Sequence, residues 1–200
     1  MAKLTRALVF AGICCLPLTL GGAIVGAQGL TSGALKLIPA DELGSTQEEV
    51  VRVNLDTARG SFVVAVYPEV APLSSKNFLN LVNAGFYDGL PFHRVVEGFV
   101  VQAGEVAEGD PRSKLDQPIP DEINCAHHDP GTISLAKLYD TEKKEYLPDS
   151  AGAQFFINLG ENQRLDENFT VFGKVLQGMD VVMKLRQGDL ITRAYIINPL

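Results

Sequence analysis

FHRVVEGFVVQAGE, residues 92–105, is read as two short strands over 92–96 and 99–103, with one arginine set inside a run of aromatic and β-branched residues. A fixed positive charge in such a run needs a reason. Period-two alternation puts Arg94 on the same face as Phe92 and Val96, and His93 on the opposite face, where a satisfied core histidine is the default. A snorkelling or salt-bridged arginine would account for the charge without any function. Position alone does not decide between the two.

Outward from this stretch the same alternation recurs. Val51, Val53 and Leu55 alternate with Arg52, Asn54 and Asp56, and Ala58-Arg59-Gly60 turns the chain into SFVVAVY, which predicts a β-hairpin. Pro72 and Ser74 or Ser75 open a helix whose Phe78, Leu81 and Val82 recur at i, i+3 and i+4, with Gly85 at its C-terminal cap. Further strands are predicted over 132–136, 154–158, 171–175 and 191–197, and a second helix over 179–185. Many short strands with two helices predict a mainly β fold, a closed or nearly closed antiparallel barrel. The polar segments 105–130 and 137–152 read as surface loops, where binding residues often sit.

Two further strands offer side chains for a site. Val100 and Gln102 share one face, and Gln154 and Phe156 share another, so each strand sets an amide beside an apolar group. A pocket with an oily floor and a few fixed hydrogen-bonding groups suits a small ligand or a peptide. The bland alternative is plain core beneath two solvated glutamines. Cys125, His127 and His128 match no common zinc spacing and read as a loop without metal. His93 with Ser134 or Ser150 has no spacing rationale as a hydrolytic pair. Asp121 and Glu122 are adjacent, point to opposite sides of an extended chain, and read as loop scaffold. No phosphate-binding glycine loop, nucleophile elbow or zinc-protease helix appears.

The N-terminus combines Lys3 and Arg6 with an uncharged run from Ala7 to Ala27, the pattern of an export signal. Val25-Gly26-Ala27 supplies small residues for cleavage, while Pro17, Gly21 and Gly22 interrupt a helix that would otherwise be long enough to remain as an anchor. Cys14 and Cys15 raise a lipoprotein alternative, which ranks lowest because Ile13 stands where a small residue is expected. The expected layout is a signal peptide or uncleaved anchor over 1–27, a flexible linker over 28–48 and one domain over 49–200. The compartment expected is a periplasm, with a secretory route, a thylakoid lumen or membrane anchoring as alternatives.

The first 27 residues contain no acid, so their removal takes the formal charge from −7 to −9. No lysine- or arginine-rich block remains, which argues against nucleic acid and anionic membrane surfaces as partners. Cys125 is then the single cysteine, so the domain has no internal disulfide to rely on.

NFLNLVNAGFYDGLPFHRVVEGFVVQAGE, followed by GTISLAK and then AQFFINLGENQRLDENFTVFGKVLQGMDVV, resembles in order and spacing the cyclophilin family of peptidyl-prolyl cis-trans isomerases. The resemblance runs from about Val50 to the C-terminus, and FHRVVEGFVVQAG and QFFIN are its most specific parts. It implies an eight-stranded antiparallel β-barrel closed at each end by a helix. It also implies that the chain accelerates rotation about X-Pro bonds, without cofactor or metal, and assists folding of exported proteins. Proline-containing peptides and unfolded exported chains are the implied partners, and a monomer is expected. A non-catalytic peptide-binding or scaffold domain on the same barrel is the alternative.

Residue by residue, the resemblance places Arg94 on the catalytic arginine and Gln102 beside it. Phe99 and Val100 fall on the hydrophobic wall, and Ala136, Gln154, Phe156 and Leu165 on the rest of the groove and proline pocket. Lys137 stands in place of an asparagine whose backbone contacts substrate, and Phe169 in place of a histidine. Val100 replaces a common methionine. Arg164 replaces a tryptophan important for cyclosporin binding in the family, which argues against tight drug binding. The insertion over 137–152 lengthens the loop on the groove side.

Overall fold

Alternation in the first hairpin builds the inside of the sheet. In the computed structural model, which describes residues 50–197, β1 (Val51–Thr57) and β2 (Gly60–Val66) pair so that Val53 faces Val64 and Leu55 faces Phe62, all four buried. The expectations for 1–27 and 28–48 lie outside the described residues. After the hairpin come α1 (Pro72–Asn83), β3 (Arg94–Val96), β4 (Val100–Ala103), β5 (Thr132–Leu135), β6 (Tyr139–Asp140), β7 (Glu145–Tyr146) and β8 (Phe155–Asn158). β9 (Val171–Gln177), α2 (Met179–Val182) and β10 (Ile191–Ile197) complete the order.

Eight strands form one curled antiparallel sheet in the order β10-β1-β2-β9-β5-β8-β4-β3, and β6 and β7 form a separate two-stranded hairpin. Strand number and sense agree with the expected barrel. Full closure does not: the ladder stops between β3 and β10, leaving a half-barrel whose edges meet through an isolated bridge from Pro91 to Leu190. Pro91 has no N–H to donate, and β3 is only three residues long, so the edge cannot be zipped as a ladder. Phe92 N–H donates to the Asp189 carbonyl at 2.8 Å and Gly188 N–H to the Phe92 carbonyl at 3.0 Å, which fastens the seam locally.

The concave side holds the core. α1 buries Phe78, Leu81 and Val82 as their spacing predicts, and the Phe78 ring lies 5.2–5.5 Å from those of Tyr87, Phe155 and Phe172. Gly85 ends the helix at φ +66°, where a side chain would be strained, and Phe86 N–H closes back on the Leu81 carbonyl at 3.0 Å. No side chain at Ala71 caps the start of α1. Glu122 does so from the far loop: one oxygen accepts from Leu73 N–H at 2.9 Å, the other from Ser74 N–H and hydroxyl at 2.7 Å each. The scaffold role expected of Glu122 thus has a specific target.

Three expectations need correction. Phe92 does not share a face with Arg94, because the strand begins only at Arg94 and Phe92 turns into the core, fully buried. The second helix covers Met179–Val182 rather than 179–185; Lys184 and Leu185 N–H groups bond three residues back, so the helix tightens into turns. The segment 137–152 is not loop throughout, since it contains the β6–β7 hairpin.

Candidate active site

Register across four strands builds the site. Arg94 pairs with Gln102, Gln102 with Phe156, and Phe156 with Ser134, so these residues form one row across β3, β4, β8 and β5. Residues directly opposite in an antiparallel ladder project to the same face. Val101, Ala103, Phe155 and Ile157 therefore point into the core, while their neighbours Val100, Gln102 and Phe156 point out. A second apolar cluster results on the convex face: Val100, Phe156, Leu165 and Phe169, with Phe99 and Ala136 packed against it.

These residues surround an open cavity of about 90 Å³, lined also by Arg94, Gln102, Lys137 and Tyr146. Phe156 and Phe169 meet edge to face at 5.3 Å. Behind them the buried His128 ring stacks on Phe156 at 5.9 Å. The Arg94 guanidinium lies on the exposed rim and donates through Nη1 to Gln102 Oε1 at 3.2 Å, and Gln102 Nε2 donates to Gln154 Oε1 at 2.9 Å. Gln154 does not line the cavity; it stands one hydrogen bond behind it and fixes the Gln102 amide.

Two cations approach the Phe99 ring, with Arg94 Cζ 5.6 Å and Arg164 Cζ 4.9 Å from its centroid. Arg164 therefore covers Phe99 at the rim instead of filling the cavity. Phe169 forms a wall and leaves the space open. Lys137 and Tyr146 of the segment 137–152 line the cavity beside Phe169 without closing it. The Lys137 ammonium is tied to Asp121.

Two features of the site were not foreseen. Tyr146 reaches the cavity from the β6–β7 hairpin, hidden in the sequence by the charged turn around it. His128 lies under the floor, with Nδ1 at 2.7 Å from Asp166 Oδ1, while His127 Nδ1 is 2.7 Å from Asp166 Oδ2. Burial pulls the His128 pKa below the usual histidine value, whereas the hydrogen bond to Asp166 raises that of exposed His127. Desolvation pushes the Asp166 carboxyl up, but the hydrogen bonds from both histidines outweigh it and hold the group below its ordinary value. Among the described residues no three His, Cys, Asp or Glu side chains converge as a metal site.

His93 is not the satisfied core residue expected. Its Nδ1 is buried without a hydrogen-bond partner among the described residues, 3.8 Å from Glu105, and burial lowers its pKa. Neither candidate serine can be activated by it. Ser150 donates to the Leu147 carbonyl at 2.6 Å, and Ser134 is fully buried in β5 with its hydroxyl unpaired among the described residues.

Comparison with known proteins agrees with this geometry. The family model for cyclophilin type peptidyl-prolyl cis-trans isomerase/CLD matches residues 50–197. Peptidyl-prolyl cis-trans isomerase A of Dickeya dadantii is 40% identical over 141 residues, 68% of this chain and 70% of that protein. Peptidyl-prolyl cis-trans isomerase B of Escherichia coli is 34% identical over 143 residues, 67% of this chain and 83% of that protein. Among solved structures, a cyclophilin type isomerase of Cryptosporidium parvum superposes with a TM-score of 0.63 at 23% identity, covering 76% of this chain and 99% of that one. A crystal structure of the same protein in the presence of the dipeptide Ala-Pro superposes at 0.62 with 22% identity, covering 74% and 99%. An outward-facing apolar pocket with an arginine at its rim, on a domain that this family model spans from end to end, leaves one conclusion: the chain belongs to the cyclophilin-type peptidyl-prolyl cis-trans isomerases.

Proposed function

We propose that Arg94 carries the isomerisation by donating a hydrogen bond to the prolyl nitrogen of a bound X-Pro peptide. The amide resists rotation because its nitrogen lone pair is delocalised into the carbonyl, which sets a barrier of roughly 18–20 kcal/mol. As the bond twists, the nitrogen becomes pyramidal and regains that lone pair. A donor placed there gains a bond that the planar ground state lacks, so it lowers the barrier instead of only tightening binding.

The observation that carries this reading is Arg94 at the rim of the cavity, facing Phe99 and joined to Gln102. Among the described residues it makes that one side-chain hydrogen bond, which leaves most of its five N–H donors for substrate. Phe156, Val100, Leu165 and Phe169 would seat the proline ring, and Ala136 and Lys137 would border the peptide on the hairpin side. A proline-peptide isomerisation assay tests it. Acceleration that disappears in Arg94→Ala with unchanged circular dichroism supports the assignment, and peptide binding without acceleration overturns it.

The clients in this reading are unfolded exported proteins. The basic start at Lys3 and Arg6 and the uncharged run to Ala27 support export, to a periplasm in the first instance. Mapping the N-terminus of the protein in fractionated cells tests this: a chain beginning near Gln28 in the periplasmic fraction supports it, and an intact Met1 in the cytosol refutes it.

A further inference from the structure

The β6–β7 hairpin lies against the cavity as a separate two-stranded unit. Tyr146 lines the cavity, and its ring meets Phe169 edge to face at 4.6 Å. Tyr139, its register partner, supports it at 5.1 Å. An isolated two-stranded hairpin is marginal in water, and this one is latched. Asp121 accepts from Lys137 Nζ and, at 3.2 Å, from Asp149 N–H, while Asp149 Oδ1 accepts from Asp121 N–H at 2.8 Å. Leu147 N–H donates to the Leu138 carbonyl at 2.9 Å, and Leu138 N–H to the Ser150 hydroxyl at 3.0 Å. Such a latch holds Tyr146 at one position on the rim.

We propose that Tyr146 is a specificity residue that selects a large apolar or aromatic side chain adjoining the substrate proline. The inference rests on the isomerase reading of the same pocket. Phe156, Val100 and Leu165 already supply a floor for the ring, so a group at the rim meets what adjoins the proline. Tyr146 is 36% exposed, lines the cavity, and makes no hydrogen bond through its hydroxyl among the described residues, so its side chain is open to contact with an incoming peptide. The hairpin carries charges of both signs, Asp140, Glu142 and Glu145 against Lys143 and Lys144, with Lys143 paired to Asp140 at 3.7 Å. Mixed charge gives no field of one sign to select an ionic residue, which leaves aromatic contact as the discriminating force.

The test compares proline peptides carrying Ala, Leu or Phe before and after the proline, assayed with the wild-type protein, Tyr146→Ala and Tyr146→Phe. The readout is the ratio of kcat/KM for the Phe or Leu peptide to that for the Ala peptide. One aromatic contact predicts a ratio of about threefold to tenfold in the wild type. It should fall to near one in Tyr146→Ala and persist in Tyr146→Phe, which keeps the ring and reports on folding. A wild-type ratio of one, or a ratio unchanged in Tyr146→Ala, overturns the proposal. If no peptide is accelerated, the isomerase reading has failed, and the same ratios taken from Kd in NMR titrations decide the role of Tyr146 on their own.

Discussion

Arg94 and Gln102 are direct register partners across β3 and β4, and their side chains join at 3.2 Å. Gln102 is anchored in turn to Gln154 at 2.9 Å. The guanidinium is therefore aimed by a chain of two amides that begins on β8's side of the sheet. Gln102→Ala should lower kcat/KM by about tenfold, the worth of one hydrogen bond of about 1.4 kcal/mol realised at the transition state. Arg94→Lys should cost more, because an ammonium lacks the planar fork. Arg94 is exposed, so both its variants should melt within about 0.5 kcal/mol of the wild type. Steady-state kinetics beside thermal melts check this, and a Gln102→Ala enzyme with wild-type kcat/KM would show that the amide does not position the arginine.

Glu122 carries a stability prediction. Its two oxygens take the first free N–H groups of α1, which otherwise has no side-chain cap. A carboxylate there also complements the helix dipole. Glu122→Ala should cost about 1–2 kcal/mol and lower the Tm by about 2–8 °C. Calorimetry at neutral pH measures it, and an unchanged Tm would mean that water replaces the carboxylate without loss.

Gly173 sits in β9 between Val66 of β2 and Ile133 of β5. A Cβ at this position would lie 2.8 Å from Ile133 Cγ2 and closer still to the Ala65 carbonyl oxygen. Since backbone cannot yield as a side-chain tip can, Gly173→Ala should destabilise by about 1–3 kcal/mol. Denaturant unfolding would show it as a lower midpoint at constant slope.

Local pattern was enough to orient most of the site. Period two sets Val100 with Gln102 on one face, and β4 carries them so; Gln154, one residue ahead of β8, still reaches Gln102 through its amide. Pairing register is not a local property, so the row Arg94–Gln102–Phe156 emerges only once β3, β4 and β8 are zipped together. Phe92 was misplaced because alternation assumes a strand that has already begun, and here it begins two residues later. Tyr139 and Tyr146 flank a turn rich in charge, whose polarity hid a two-residue strand on each side. His128 finds its partner Asp166 38 residues away, a contact that no spacing rule announces.

That contact gives the site a pH response with a definite sign. His128 is fully buried against Phe156 and Phe169, facing Asp166, with Asp129 and His127 as the other charges that act on it. Burial favours its neutral form in the folded state, so below about 6.5 the unfolded chain binds the extra proton and stability falls with pH. His127 acts the other way: its raised pKa adds stability that is complete below about 6.5 and lost as pH rises through the folded-state value. It therefore cannot offset the further loss on acidification. The Asp166 carboxyl is held low, so its contribution fades only at still lower pH. A protonated His128 would also carry an Nε2–H donor that has no partner among the described residues in its buried position. Between about pH 6.5 and 4.5 the Tm of the wild type should drop, and His128→Asn, which retains a donor near Asp166 but does not titrate there, should flatten that slope. Equal slopes in the two proteins would remove His128 as the cause, and a steeper slope in the variant would reverse the sign of its contribution.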